Sequence, residues 1–186
     1  MTTILSAMKK RQTIRRYKTD PINEELVEQL LESVQCSQSW ANTQCWELVL
    51  VTNDETKKAM QEAVPKQNPA FAAVVEAPLV IALCAQTDKV GYIGNTHITT
   101  PGDWFMFDAG LATQNLCNCA AELGLGTVVV GWLDHDRLKR VIGLPQKVEA
   151  VALIPVGYPE QIGVSPPRKA VSEFVHVNRF GNAYPK

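Results

Sequence analysis

Apolar and polar positions fall along this chain in blocks that alternate between helical and strand spacing. Residues 3–10 read as a short helix closing on Lys9 and Lys10, which suits a helix C-terminus. After a basic stretch and a stop at Asp20-Pro21, Leu26, Val27, Leu30, Leu31 and Val34 recur on one helical face, with Asn23 placed to cap them. The small, polar residues 37–45 predict a loop, 46–52 a strand, and Asn53-Asp54 the start of a helix to about 64. Pro65 to Pro69 is a break, and a short helix is expected within 69–76. Residues 78–85 are apolar on both faces, as in a strand central to its sheet. A loop rich in Gly and Thr spans 86–102, and loops of that length in compact domains are usually functional or mobile. From Asp103 to Leu123 runs the longest helical pattern, apolar on nearly all sides, and Gly124 ends it. Strands are expected at 127–131 and 148–157, with a helix between them at 134–142 stopped by Gly143 and Pro145. The tail from about 158 is rich in Pro and Gly; it cannot form a core alone, so it wraps a surface or partner, or is mobile. No repeat or linker divides the chain, which predicts one domain over 1–186.

Composition narrows the class. Hydrophobic residues make up 46% of the 186, enough for a full core. The 18 basic and 19 acidic residues nearly cancel and form no acidic or basic tail, so nothing points to nucleic acid as a partner. The apolar runs are strand-sized, so neither a signal peptide nor a membrane span is expected. The five cysteines are odd in number and lack a C-x-x-C, which predicts reduced thiols in a cytoplasmic protein. His97, His135 and His176 are scattered, and Cys117 and Cys119 diverge on a helix, so no metal site is expected.

Four segments carry candidate chemistry. Arg11-Gln12-Thr13-Ile14-Arg15 places two guanidiniums and a hydroxyl within five residues; arginine's planar fork matches phosphate oxygens. By itself such a run is an ordinary solvated turn. Asn42-Thr43-Gln44 offers amides of the kind that read the edge of a heteroaromatic ring, or simply a turn. Gly124-Leu125-Gly126 fails as a dinucleotide fingerprint: position 129 is Val, and the segment leads from helix into strand. Gly131, at a strand end, would let backbone approach a flat ligand, or is a plain terminus. Arg168, after Pro166-Pro167, could give another phosphate donor or lie on a surface turn.

Taken in order, these segments resemble the nitroreductase family. The matching pieces are Arg11-Gln-Thr13-Ile-Arg15, the loop Gln38-Ser39-Trp40-Ala41-Asn42-Thr43-Gln44-Cys45-Trp46, and Ala77-Pro78. They continue with the Asp-led helix from Asp108 to Gly126, Gly143-Leu-Pro145, Gly157-Tyr-Pro159 and Pro166-Pro-Arg168. The resemblance covers about residues 4–175. It implies an α+β fold, a central mixed β-sheet flanked by helices, and an intertwined homodimer with FMN at the interface. It implies phosphate contacts at Arg11, Thr13 and Arg168, with Gln12 also among the cofactor-binding residues, and Arg15 near the ribityl and pyrimidine side. Ser39, Trp40 and Asn42 would come from the partner subunit, and backbone at Val130 and Gly131 would face the ring, with Asn68 within possible reach.

The activity implied is hydride transfer from NAD(P)H through flavin N5 to a small conjugated acceptor by a ping-pong mechanism. The flavin carries the chemistry, so no protein side chain is expected to be catalytic. Two departures bear on the acceptor. Gln38 and Cys45 replace prolines, which predicts a less rigid loop, and Trp40 stands where the family has a small residue. Other chemistry on the same scaffold (reductive dehalogenation, flavin breakdown, dehydrogenation of a peptide-derived ring) stays open, as does a non-catalytic flavin-binding or interaction domain.

Overall fold

The structure is a computed structural model, and it describes residues 4–94, 96–99 and 103–185. Residue 3 of the expected first helix, and residues 95 and 100–102 of the expected loop, lie outside this set. Six α-helices are described: α1 (Ile4–Lys10), α2 (Glu24–Gln35), α3 (Asp54–Gln61), α4 (Ala73–Glu76), α5 (Trp104–Glu122) and α6 (His135–Val141). The strands are β1 (Trp46–Val51), β2 (Leu79–Gln86), β3 (Tyr92–Ile93), β4 (Thr96–His97), β5 (Gly126–Thr127) and β6 (Val148–Gly157). Strands β1, β2, β6 and β5 form one sheet in the order β1-β2-β6-β5, with helices on both faces. The α+β architecture is the expected one. The ladders within this sheet are antiparallel, and the parallel pairing described is a single bridge from Thr13 to Thr127.

Caps behave as their chemistry requires. Asn23 accepts from the Glu25 N–H, Asn53 from Thr56 and Asp134 from Arg137, each fixing the start of a helix. Gly124 closes α5 with φ +76, in the region that favours glycine.

Strand β2 divides the core in two. Leu79, Ile81 and Leu83 face α2 and α5, while Val80, Ala82 and Cys84 face the layer of α3, α4 and α6. This two-sided burial is why the strand reads as a continuous apolar run. Its partner β6 carries one extra residue where the register shifts between Leu83 and Cys84. Leu83 pairs with Ala152 and Cys84 with Ala150, so Val151 is the added residue. The extra residue switches alternation: Val148 and Ala150 share a face with Leu153, whereas Ile154 and Val156 turn to the other.

The strand expected at 127–131 is shorter than its sequence suggests. Gly126 and Thr127 pair with Gly157 and Val156, and the same register resumes at Val130 opposite Leu153. In that register Val128 falls opposite Pro155, which has no N–H to donate, and the ladder lapses there. The 86–102 segment also departs from a plain loop: Tyr92–Ile93 and Thr96–His97 form a small hairpin.

Helix α5 buries Asp108, Ala109, Ala112, Leu116, Cys117 and Ala120. Its other side leaves Met106 and Phe107 about half exposed. Helix α1 buries none of its residues, and the tail is exposed along nearly its whole length, with Val164 98% and Phe180 93% accessible.

The basic segment joins the fold as an extended run. The Ile14 N–H donates to the Thr127 carbonyl at 2.9 Å, and the Tyr17 hydroxyl donates to the carbonyls of Ile14 and Pro155. Ile14 lies so close over Gly126 that an added Cβ there would meet it at 2.6 Å. Gly126→Ala should therefore cost about 1–3 kcal/mol by overpacking. Gly131→Ala, whose added methyl meets nothing within 4 Å, should change stability little. Urea unfolding midpoints check both.

Candidate functional site

Extended backbone sends successive side chains to opposite sides. Arg11 lines a concavity of about 400 Å³ with Met8, Lys9, Gln114, Ser165, Pro166 and Arg168. Gln12 and Ile14 point the other way, into a separate concavity of about 310 Å³ with Lys10, Ala121, Gly124 and Leu125. The structure thus brings Arg11 and Arg168 together, and it parts Gln12 from them. Thr13 and Arg15 are exposed. The Arg168 guanidinium is held by the Pro166 carbonyl at 2.9 Å, so the proline pair aims it.

Lys9, Gln114 and Ser165 were not legible as site residues. Lys9 read as a helix-end charge, and Gln114 as one polar position in an apolar helix. Their signal lies in packing: α1 and α5 lie against each other, with Lys10 paired to Glu122 at 3.5 Å. The donor set of the larger concavity comprises three cations, an amide and a hydroxyl, with no carboxylate in its lining. Such a set suits a phosphate dianion.

The loop at 39–44 has a different location. It packs on the first turns of α5, where the Trp40 N–H donates to both carboxylate oxygens of Asp108 at 3.0 and 3.2 Å. The Cys45 thiol approaches the same carboxylate at 3.8 Å. Inside the loop the Gln44 N–H donates to Ser39 Oγ at 2.9 Å, and the Gln44 amide donates to Asn42 Oδ1 at 3.2 Å. Ala41, Asn42 and Gln44 all have positive φ (44, 57 and 48°). Left-handed backbone costs non-glycine residues about 1–2 kcal/mol each, so these bonds hold the loop against strain. The expected loosening from the missing prolines is offset: Cys45, standing in for one of them, is fully buried and bonded to Asp108. The Trp40 ring meets Trp104 at a centroid distance of 5.4 Å, and Trp104 meets Phe107 at 5.0 Å.

The third group is the backbone at 130–132. Val130 exchanges both its N–H and its carbonyl with Leu153, so it has no free backbone group to offer. Gly131 is exposed, with open space where a Cβ would stand. Asn68 donates to the Trp132 carbonyl at 3.1 Å and accepts from the Ala70 N–H at 2.9 Å. It is brought beside Gly131, but as a brace for this turn.

Burial sets the acid–base behaviour here. Desolvation raises the Asp108 carboxyl above the ordinary carboxylate range, against the opposing pull of the Trp40 N–H. Desolvation, with the Asp108 charge, pushes the Cys45 thiol up to about 12, and burial does the same for Cys84. Among the described residues no group of three or more His, Cys, Asp or Glu could hold a metal ion, and no helix is long and apolar enough to cross a membrane.

The Nitroreductase family model matches residues 8–158. The chain belongs to the nitroreductase family. A relative from Methanothermobacter thermautotrophicus, named an NADH dehydrogenase/NAD(P)H nitroreductase, is 32% identical over 164 residues, covering 85% of this chain and 78% of its own. An NADH dehydrogenase of Thermus thermophilus is 29% identical over 183 residues, covering 85% and 87%. A solved structure from Clostridium difficile R20291, described as an FMN-dependent nitroreductase, shares the fold with TM-score 0.80 and 22% identity, over 95% of this chain and 99% of that one. This member of the nitroreductase family is accordingly an oxidoreductase.

A thiol held protonated by burial reacts slowly with electrophiles. In native protein at neutral pH, iodoacetamide should modify the exposed Cys36 first and leave Cys45 and Cys84 intact until denaturant is added. Mapping by mass spectrometry checks this; modification of Cys45 at the rate of Cys36 would mean that the loop opens readily.

Proposed function

We propose that this protein is an FMN-dependent oxidoreductase that draws reducing equivalents from NAD(P)H and passes them to a small conjugated acceptor, such as a nitroaromatic or quinone, as a homodimer. The observation that carries the reading is the convergence of Lys9, Arg11 and Arg168 on one concavity. Its donors fit the phosphate of a mononucleotide, and the absence of a dinucleotide glycine fingerprint favours FMN over FAD. The Clostridium difficile relative's description as FMN-dependent supports the same choice. When bound, FMN would supply the redox chemistry, hydride transfer between NAD(P)H and the acceptor in ping-pong order.

The chain's own residues bind and orient. Arg11 and Arg168, with Lys9 adding charge, hold the phosphate, and the exposed Thr13 hydroxyl adds a further donor. Arg15 brings positive charge toward the pyrimidine edge. The side-chain-free face of Gly131 lets the ring come close to backbone. Ser39, Trp40 and Asn42 reach the site of the partner subunit. Support for two chains comes from unpartnered apolar surface: Ile4, Leu5 and Met8 on α1, Met106 and Phe107 on α5, and Ile162, Val164, Phe174 and Phe180 along the tail are all exposed. A second copy would cover this much apolar area. The separation of the 39–44 loop from the Arg11–Arg168 concavity supports a site shared between subunits.

Cofactor released by heating should co-elute with FMN, and stoichiometric FAD would refute the choice. Charge-assisted bonds to arginine contribute roughly 1.5–3 kcal/mol each. Arg11→Ala or Arg168→Ala should therefore weaken FMN binding about tenfold or more. Riboflavin, lacking the phosphate, should bind mutant and wild type alike in fluorescence titrations. Unchanged FMN affinity in Arg11→Ala would remove the anchoring assignment.

The assembly is checked by light scattering at micromolar concentration and by a mixed dimer pairing an Arg11→Ala subunit with one disrupted at 39–42. If sites are shared, both lesions fall in one site and about half of the flavin binding survives, because the other site is intact. A stable monomer that keeps FMN and oxidises NAD(P)H would exclude the shared site.

A further inference from the structure

Asp108 is a carboxylate in the second turn of a largely apolar helix, 1% exposed, and no cation pairs with it among the described residues. A buried carboxylate without a counter-charge persists only where hydrogen bonds compensate it. Its described partners both belong to the segment at 40–45: the Trp40 N–H, shared between its two oxygens, and the Cys45 thiol. The bond to Trp40 lies at the entrance of the strained stretch in which Ala41, Asn42 and Gln44 are left-handed. It therefore holds the backbone from which the Trp40 ring projects onto Trp104. That ring is set at 50° to Trp104, and Trp104 at 60° to Phe107, which is itself 56% exposed. Trp104 and Phe107 rise from the same two turns of α5 as Asp108, so one helix segment supplies the anchor of Trp40, its ring neighbour Trp104 and the Phe107 ring behind that.

We propose that Asp108 is a positioning residue for acceptor choice: by holding the Trp40 N–H it locks Trp40 against Trp104 into a rigid aromatic wall that favours planar aromatic acceptors over compact non-aromatic ones. Stacking on a fixed ring rewards a flat π-system, and the reward is lost when the ring is free to turn. The wall's effect on turnover rests on the redox function proposed above; the anchoring of Trp40 does not.

The test joins a spectroscopic readout on flavin-free protein to a ratio of two activities on the holoenzyme. Two indoles this close give a coupled circular dichroism signal, identified as the band that Trp104→Phe abolishes. Asp108→Ala should lose that band. It should also lower the ratio of kcat/KM for a nitroaromatic to kcat/KM for ferricyanide by about tenfold. Partial unfolding or flavin loss lowers both activities together and leaves the ratio alone. Asp108→Asn keeps a carbonyl to accept from the Trp40 N–H and should restore both the band and most of the ratio.

Trp40→Phe retains the backbone N–H while shrinking the ring, and should shift the ratio in the same direction even if Asp108→Ala fails to fold. An unchanged ratio in Trp40→Phe overturns the proposal. So does an Asp108→Ala protein that keeps the band, or one that folds and binds flavin, loses the band and leaves the ratio unchanged. Loss of the band in a protein whose wild type oxidises no NAD(P)H with any flavin would uphold the anchoring of Trp40 and refute the redox reading.

Discussion

The join between Ile14 and Thr127 is the constraint on which the candidate site depends. One backbone bond of 2.9 Å draws the basic segment alongside β5, and the Ile14 side chain seats over Gly126 where no larger residue would fit. Once the segment is extended, alternation does the rest. Arg11 is delivered to the concavity that Arg168 closes, while Gln12 and Ile14 turn toward the end of α5. The Tyr17 hydroxyl, buried and held by two carbonyls, keeps the far end of the run in place. Its burial also pushes the phenol well above its ordinary range, so it stays a neutral donor.

The fold was legible in the sequence wherever periodicity and caps spoke together. Helix α2 begins after Asn23, β2 is two-sided and central, β6 runs over Val148–Gly157 as expected, and Gly124 closes α5. What periodicity could not convey was pairing. Pro155 looks harmless inside an apolar run, and its cost emerges only when β5 is laid against it. The added residue Val151 changes which face its neighbours occupy, and nothing local announces a bulge. The site divides the same way. Arg11 and Arg168 could be named as candidate phosphate donors because guanidinium chemistry is local, and the structure brings the two to one concavity. Lys9, Gln114 and Asp108 could not, because their roles arise from contacts made across the helices.

The 39–44 loop shows how strain and burial balance. Three non-glycine residues occupy left-handed backbone, and a carboxylate sits in an apolar interior. Each feature is unfavourable alone. Together they satisfy one another, since the loop's N–H is the partner that the carboxylate requires. Arrangements that over-determine a strained turn are typical of places where a side chain must stand still.

The lapse in the β5 ladder limits how copies of this chain could meet in the proposed dimer. An edge strand with a long row of unpaired backbone groups invites another chain to add on and propagate a sheet. Pro155 limits the regular pairing of β5 to two residues, so that margin offers almost no template. The opposite margin, β1, carries the exposed Glu47, whose carboxylate accepts from the Gln86 amide of β2, and a charge on an edge strand discourages another chain from pairing there. The apolar surface left on α1, α5 and the tail can then be satisfied by side-chain packing, which saturates in a closed assembly, and open-ended fibre growth is disfavoured.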